Sequence, residues 1–151
     1  MPEYYFLESK QDGRVIDVRD DKTAAGTPLI AFPPKGSKND NQLWGFIVSD
    51  APPFFFITVK QTGQVIDIKY VDRMPGTDLI AFPQKGSGTG NQLWMLVPSA
   101  EKGFFFIKNQ QTRAVITLGE KKENDDLTPL VAIAQKPSES DDQLWSLVPA
   151  G

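Results

Sequence analysis

Three near-identical tetrapeptides, Asn41-Gln42-Leu43-Trp44, Asn91-Gln92-Leu93-Trp94 and Asp142-Gln143-Leu144-Trp145, divide the chain into three tandem copies of one unit. They hold all three tryptophans. Phe6, Phe56 and Phe106 align, as do Gln11, Gln61 and Gln111, then Val15-Ile16, Val65-Ile66 and Val115-Ile116. The register persists through Leu29-Ile30-Ala31-Phe32 and Leu79-Ile80-Ala81-Phe82. It reaches Leu130-Val131-Ala132-Ile133 one residue late, because the third copy gains a residue between Gly119 and Thr128. In a repeat of this kind no unit buries its apolar face alone, so neighbours must share a core. The 151 residues, 40% of them hydrophobic, therefore read as one domain, 1–151, built from repeats 1–50, 51–100 and 101–151.

The chain has neither cysteine nor histidine. That removes disulfides, thiolate nucleophiles, the usual zinc ligands and every Ser-His or Cys-His catalytic pair. No catalytic residue, metal ligand or cofactor is assigned. A net charge of −3 with sixteen scattered Lys and Arg residues is not the footprint of a phosphate-backbone binder, which argues against nucleic acid. No stretch approaches the roughly 20 apolar residues of a membrane span. Met1-Pro2-Glu3-Tyr4 lacks a basic segment followed by an apolar run. The expected location is cytoplasmic, with release by a leaderless route left open.

Each copy opens on an aromatic run suited to a pleated, half-buried strand: Tyr4-Tyr5-Phe6-Leu7, Phe54-Phe55-Phe56-Ile57 and Phe104-Phe105-Phe106-Ile107. Because side chains alternate faces along a strand, Tyr4, Phe54 and Phe104 cannot all point inward with their neighbours, and some aromatics are expected at the surface. A polar turn follows, with Gly13 or Gly63 able to take positive φ. Val15-Ile16-Asp17-Val18 and Val65-Ile66-Asp67-Ile68 read as second strands. Third strands run from Leu29 to Phe32 and Leu79 to Phe82, each ended by a proline that cannot donate to a ladder. Leu43–Val48, Leu93–Val97 and Leu144–Val148 read as the fourth. About twelve short strands without sustained helical periodicity make the chain all-β, with almost no helix. Three such units about a pseudo-threefold axis can close into a barrel capped by hairpins, a β-trefoil of three tandem four-stranded repeats. A β-sandwich is the competing architecture, but it does not require a threefold repeat.

With these motifs in register along its whole length, the chain resembles the ricin B-type lectins, including cytosolic fungal members, whose hallmark is Gln-x-Trp repeated three times in a β-trefoil. The resemblance implies that each sugar site combines an Asp ending the second strand, an aromatic on the third strand that stacks on the sugar, and an Asn before the Gln-x-Trp. The Gln orients the Asp, and the Trp belongs to the core. Copy one matches with Asp17, Phe32, Asn41 and Gln42, and copy two with Asp67, Phe82, Asn91 and Gln92. Copy three departs: Thr117, Ile133 and Asp142 stand at the Asp, aromatic and Asn positions, and Arg113 replaces the turn glycine. The implied partners are glycans of glycoproteins or glycolipids, by default those containing galactose or N-acetylgalactosamine, bound as an agglutinin binds them.

The chemistry fits that carry-over. A sugar shows hydroxyls needing directional partners and a C–H face that an aromatic ring can cover. The Asp, aromatic and Asn are kept together in two copies and lost together in the third, while the scaffold positions persist. Two active sites and one degenerate site follow. Trp44, Trp94 and Trp145 read as core because they survive in the degenerate copy. Gln143 survives beside Thr117, so the glutamines keep two readings, orienting the Asp or satisfying backbone groups. Lys121-Lys122-Glu123-Asn124-Asp125-Asp126 reads as a solvated loop. Gly36-Ser37-Lys38 and Gly86-Ser87-Gly88 lack the strand-loop-helix setting of a phosphate loop. An enzyme is disfavoured because glycoside hydrolysis needs two carboxylates within roughly 5–9.5 Å, whereas Asp17 and Asp67 belong to different copies. The alternative function is a protein-binding β-trefoil, such as a protease inhibitor or a cytoskeletal module. The sequence is compatible with a homodimer.

Overall fold

The computed structural model describes residues 3–69, 77–87 and 89–150, so the chain ends, residues 70–76 and Gly88 lie outside it. Each copy contributes four strands. The first copy forms β1 (Tyr5–Ser9), β2 (Val15–Val18), β3 (Thr27–Phe32) and β4 (Trp44–Val48). The second forms β5 (Phe55–Val59), β6 (Val65–Ile68), β7 (Thr77–Phe82) and β8 (Trp94–Pro98), and the third β9 (Phe105–Asn109), β10 (Val115–Leu118), β11 (Thr128–Ile133) and β12 (Trp145–Pro149). Among the described residues the helical segments are single 3-10 turns, and no helix is long and apolar enough to cross a membrane.

Pairing is antiparallel throughout. The first and fourth strands of the copies close a ring in which β1 pairs with β4 and β12, β5 with β4 and β8, and β9 with β8 and β12. The second and third strands form the hairpins β2–β3, β6–β7 and β10–β11. Their third strands pair with one another across a triangle, β3 with β7 and β11, and β7 with β11. A closed ring leaves no strand edge among its members, which removes the usual site of edge-to-edge association. The architecture is a β-trefoil-like all-β fold.

One core cluster draws equivalent residues from all three copies: Leu7, Ile57 and Ile107; Ile16, Ile66 and Ile116; Leu29, Leu79 and Leu130; Ala31, Ala81 and Ala132; and the three tryptophans. Each indole donates to the second strand of its own copy, Trp44 Nε1 to Ile16 O at 2.9 Å, Trp94 to Ile66 O and Trp145 to Ile116 O at 3.0 Å. The largest core side chain thus has its only polar atom satisfied, as a buried tryptophan requires.

The aromatic runs end up elsewhere than alternation alone suggests. Tyr4, Phe54 and Phe104 are half-buried, and Phe54 and Phe104 pack on two satellite clusters outside the main core, with Phe56, Val65 and Leu93 and with Phe106, Val115 and Leu144. The most exposed phenylalanines are Phe32 and Phe82, each 37% exposed at the end of a third strand. The polar turns use left-handed backbone in every copy, at Gly13 (φ 76°), Gly63 (φ 78°) and, with a side chain present, Arg113 (φ 63°). The turn conformation outlasts the glycine that favours it.

Trp94→Ala is expected to cost about 3–5 kcal/mol, the range for deleting a buried aromatic. Denaturant unfolding measures this. Wild-type stability in the variant would show that the indole does not carry the core.

Candidate functional site

The strand period decides which residues can meet. Ile16 and Val18 face the core, so Asp17 lies on the opposite face of β2. It is paired across the hairpin with Ile30, and Ile30 and Phe32 share one face of β3 because they are two residues apart. Asp67, Ile80 and Phe82 repeat this on β6 and β7. A 3-10 turn, Asp40–Gln42 or Gly90–Gln92, then brings Asn and Gln over the carboxylate from the far side.

Both carboxylates are buried, Asp17 at 3% and Asp67 at 5% exposure. Gln42 Nε2 donates to Asp17 Oδ2 at 2.8 Å and to Pro33 O at 3.0 Å, while Lys35 N donates to Gln42 Oε1 at 2.9 Å. Asn41 Nδ2 donates to Asp17 Oδ1 at 3.3 Å and to Val18 O at 3.1 Å. Lys35 Nζ donates to Asn41 Oδ1 at 2.8 Å. The second copy repeats the network: Gln92 to Asp67 (2.9 Å) and Pro83 O (3.0 Å), Asn91 to Asp67 (3.1 Å) and Ile68 O (3.3 Å), Lys85 Nζ to Asn91 (2.7 Å). All eight residues singled out in copies one and two are thus brought together as two sets of four, the ring of Phe32 or Phe82 forming part of each cleft wall.

The donor count has a chemical consequence. An amide nitrogen has two protons, and those of Asn41, Gln42, Asn91 and Gln92 are all directed to protein acceptors. What each cleft offers a ligand is the carboxylate's remaining lone pairs, an aromatic face and the ammonium of Lys35 or Lys85, which has three protons and directs one at its asparagine. The lysines were missed in the sequence. Their signal was present: Lys35, Lys85 and Lys136 each stand three residues after the last position of the third strand and six before the Asn or Asp.

The third copy keeps the frame without the carboxylate. Gln143 Nε2 still donates to Ala134 O at 3.0 Å, and Lys136 N still donates to Gln143 Oε1 at 3.0 Å. Where the carboxylate would be, Gln143 meets Thr117 Oγ1 at 3.2 Å, and that hydroxyl donates to Val115 O. Lys136 Nζ donates to Asp142 Oδ2 at 2.6 Å, the pairing that Lys35 and Lys85 make with the asparagine at that position, here as an ion pair.

Ionisation follows burial. Loss of hydration pushes Asp17 up to about 6, against the hydrogen bond from Gln42 and the charge of Lys35, which favour the anion; Asp21 and Asp20 add to the rise. Asp67 is also raised by burial, opposed by Gln92, Lys85 and Asn91. At Asp142 burial acts in the same upward direction, but Lys136 and Ser140 outweigh it and hold the group below the ordinary carboxylate range.

The two clefts differ in width for a readable reason. Cleft one, about 220 Å³, is closed on one side by Leu127 of the third copy. Cleft two, about 510 Å³, has Gly26 of the first copy at the equivalent place.

A carboxyl-carbon NMR titration should place the Asp17 midpoint near 6, and Lys35→Met should move it higher. Because the folded value lies above the unfolded one, Asp17's contribution to stability is full below about pH 4 and is lost as the pH rises through about 6. A midpoint near 4 would show that the carboxylate is hydrated.

A family model of ricin-type β-trefoil lectin-like domains matches residues 1–82. No curated protein sequence matches the chain. Solved structures with the same fold include ThreeFoil, a designed threefold-symmetric protein, at 22% identity and TM-score 0.81 over 96% of this chain and 97% of that one. An exo-β-1,3-galactanase from Clostridium thermocellum is 20% identical with TM-score 0.81, over 98% of this chain and 30% of the enzyme. The C-half of an earthworm R-type lectin, solved with GalNAc, is 18% identical with TM-score 0.68 over 99% and 100%.

Proposed function

The chain belongs to the family of ricin-type β-trefoil lectin-like domains, and from that premise we propose that it is a non-enzymatic lectin that binds galactose- or N-acetylgalactosamine-containing glycans through two clefts and has a degenerate third. The observation that carries the reading is the repetition of one network, buried Asp, orienting Gln and Asn, ammonium and exposed Phe, in two copies, and its replacement by a threonine and a closed Lys–Asp pair in the third. In each cleft the carboxylate accepts from sugar hydroxyls, the lysine donates to them, and Phe32 or Phe82 covers the C–H face. Charge-assisted hydrogen bonds of this kind contribute roughly 1.5–3 kcal/mol each. The earthworm R-type lectin solved with GalNAc supports the sugar class.

Cleft one also holds Asp20 and Asp21 beside a carboxyl with a raised pKa, the ingredients of glycoside hydrolysis. Cleft two has the same hydrogen-bonded network with Asp67 as its one carboxylate among the described residues, so the chemistry common to both clefts is binding. Incubation with aryl galactosides should release no phenol.

Lobe three supplies the control substitution, since Thr117 occupies the Asp position with its glutamine still bonded. Asp17→Thr or Asp67→Thr should halve the sites titrated by lactose, and the double variant should bind none while melting like the wild type. A monomeric single variant should bind a galactose column yet agglutinate poorly, because bridging needs two working sites on one assembly; a dimer would still agglutinate. Full sugar affinity in the folded double variant would move the assignment to a protein-binding trefoil.

Since the ionised carboxylate is the acceptor, affinity at cleft one, isolated in Asp67→Thr, should fall about tenfold between pH 7 and pH 5. The sign follows from the raised value: protonation through about pH 6 removes the acceptor. A flat profile would remove Asp17 from the contact.

A further inference from the structure

The third copy, without a carboxylate of its own, still reaches into cleft one. The segment between the second and third strands ends on Gly26 in copy one, Gly76 in copy two and Leu127 in copy three. Gly26 takes left-handed backbone (φ 88°), a conformation that side chains rarely adopt. In copy three the segment is one residue longer, and its left-handed step falls earlier, at Asn124 (φ 65°). Asparagine tolerates that conformation better than most side chains. The residue that enters the third strand is thereby released from the glycine requirement, and it carries a leucine.

Pairing decides where that leucine stands. β11 opposes β3 with Thr128 across from Ala31 and Pro129 across from Ile30. Continued by one residue, this register sets Leu127 across from Phe32, and residues opposed in this way share a face of the sheet. Leu127 accordingly lines cleft one with Phe32 and Ile30, extending the apolar wall beside Asp17, Asn41 and Lys35. Asp125 holds it there. Its Oδ1 accepts from Leu127 N at 3.0 Å and its Oδ2 from Arg19 Nη1 at 2.8 Å, so one carboxylate ties the leucine's backbone to the turn of the first copy. A leucine has nothing to offer a sugar hydroxyl, and covering one with it removes water without supplying a partner. It does favour a carbon substituent.

We propose that cleft one is shared between the first and third copies, and that Leu127 makes it select galactose-type sugars carrying an apolar substituent beside the ring, either the methyl of an N-acetyl group or the aglycone on the anomeric oxygen. This rests on the carbohydrate-binding reading above. Burying one methyl-sized group raises affinity about fourfold. Leu127 is then a specificity-determining residue supplied by the neighbouring repeat, and Asp125 is its positioning residue.

The test isolates cleft one in Asp67→Thr and titrates it calorimetrically with galactose, N-acetylgalactosamine and phenyl β-galactoside. At least one substituted sugar should bind about fourfold or more tighter than galactose. Leu127→Ala should bring that ratio close to one, whereas Leu127→Met, which keeps the apolar bulk, should retain it. A ratio lost for N-acetylgalactosamine places the substituent at the N-acetyl group, and one lost for the phenyl glycoside places it at the aglycone. Asp125→Asn should lower the same ratio, and should have no further effect on it once residue 127 is alanine. Substituted sugars that bind no tighter than galactose, or a preference that survives Leu127→Ala, would overturn this inference and leave the lectin reading intact. Failure of all three sugars to bind Asp67→Thr would overturn both readings of cleft one.

Discussion

The buried glutamine amide of each Gln-Leu-Trp turn is the contact on which the rest depends. Gln42, Gln92 and Gln143 are all fully buried, and each uses its oxygen and one of its amide protons on the backbone that leaves the third strand. Two residues on, the tryptophan ties the same turn to the second strand through its indole. One tetrapeptide thus fastens the turn to both strands of the hairpin beneath it. An unmade hydrogen bond at such a site costs more than a made one contributes, so the residue is retained even where no carboxylate remains for it to orient. The second amide proton is the variable element. It meets a carboxylate in two lobes and a threonine hydroxyl in the third.

This division explains how the carboxylate can be absent from one copy without the fold following it. The backbone bonds of Gln143 are unchanged in length and partner type, and Thr117 offers a hydroxyl that fits the same gap. In the two complete lobes the carboxylate is held against its own preference for water. Burial raises Asp17 toward neutrality, and the glutamine, the asparagine and the lysine together keep the anion accessible near pH 7. A group kept in a costly state by several convergent partners is characteristic of a binding site, since stability alone would favour an apolar residue there.

The lobes also serve one another. Leu127 of the third copy walls the first cleft, Gly26 of the first opens the second, and Arg19 is clamped by Asp125 across a copy boundary. Changes in one repeat therefore alter the cleft of the next, which gives a threefold scaffold a route to unlike sites.

The sequence by itself determined the threefold period, the all-β class, the core tryptophans and the Asp, Phe, Asn and Gln sets, because each is a local pattern repeated at fixed spacing and repetition exposes what varies against what stays. Alternation along a strand also accounts for Asp17 facing away from the core that takes Ile16, but its sharing a face with Phe32 depends on the β2–β3 register, which pairs Asp17 with Ile30. Only the tertiary structure decided which aromatics reach solvent, since Phe54 and Phe104 are covered by residues from other strands and Phe32 and Phe82 are not. It likewise decided that the asparagine protons are turned inward, that Lys35 and Lys85 line the clefts, and that Asp20 and Asp21 line cleft one. These depend on where a turn is pinned by neighbouring repeats and on how many protons an amide has left after folding, and neither quantity is written in any single stretch of chain.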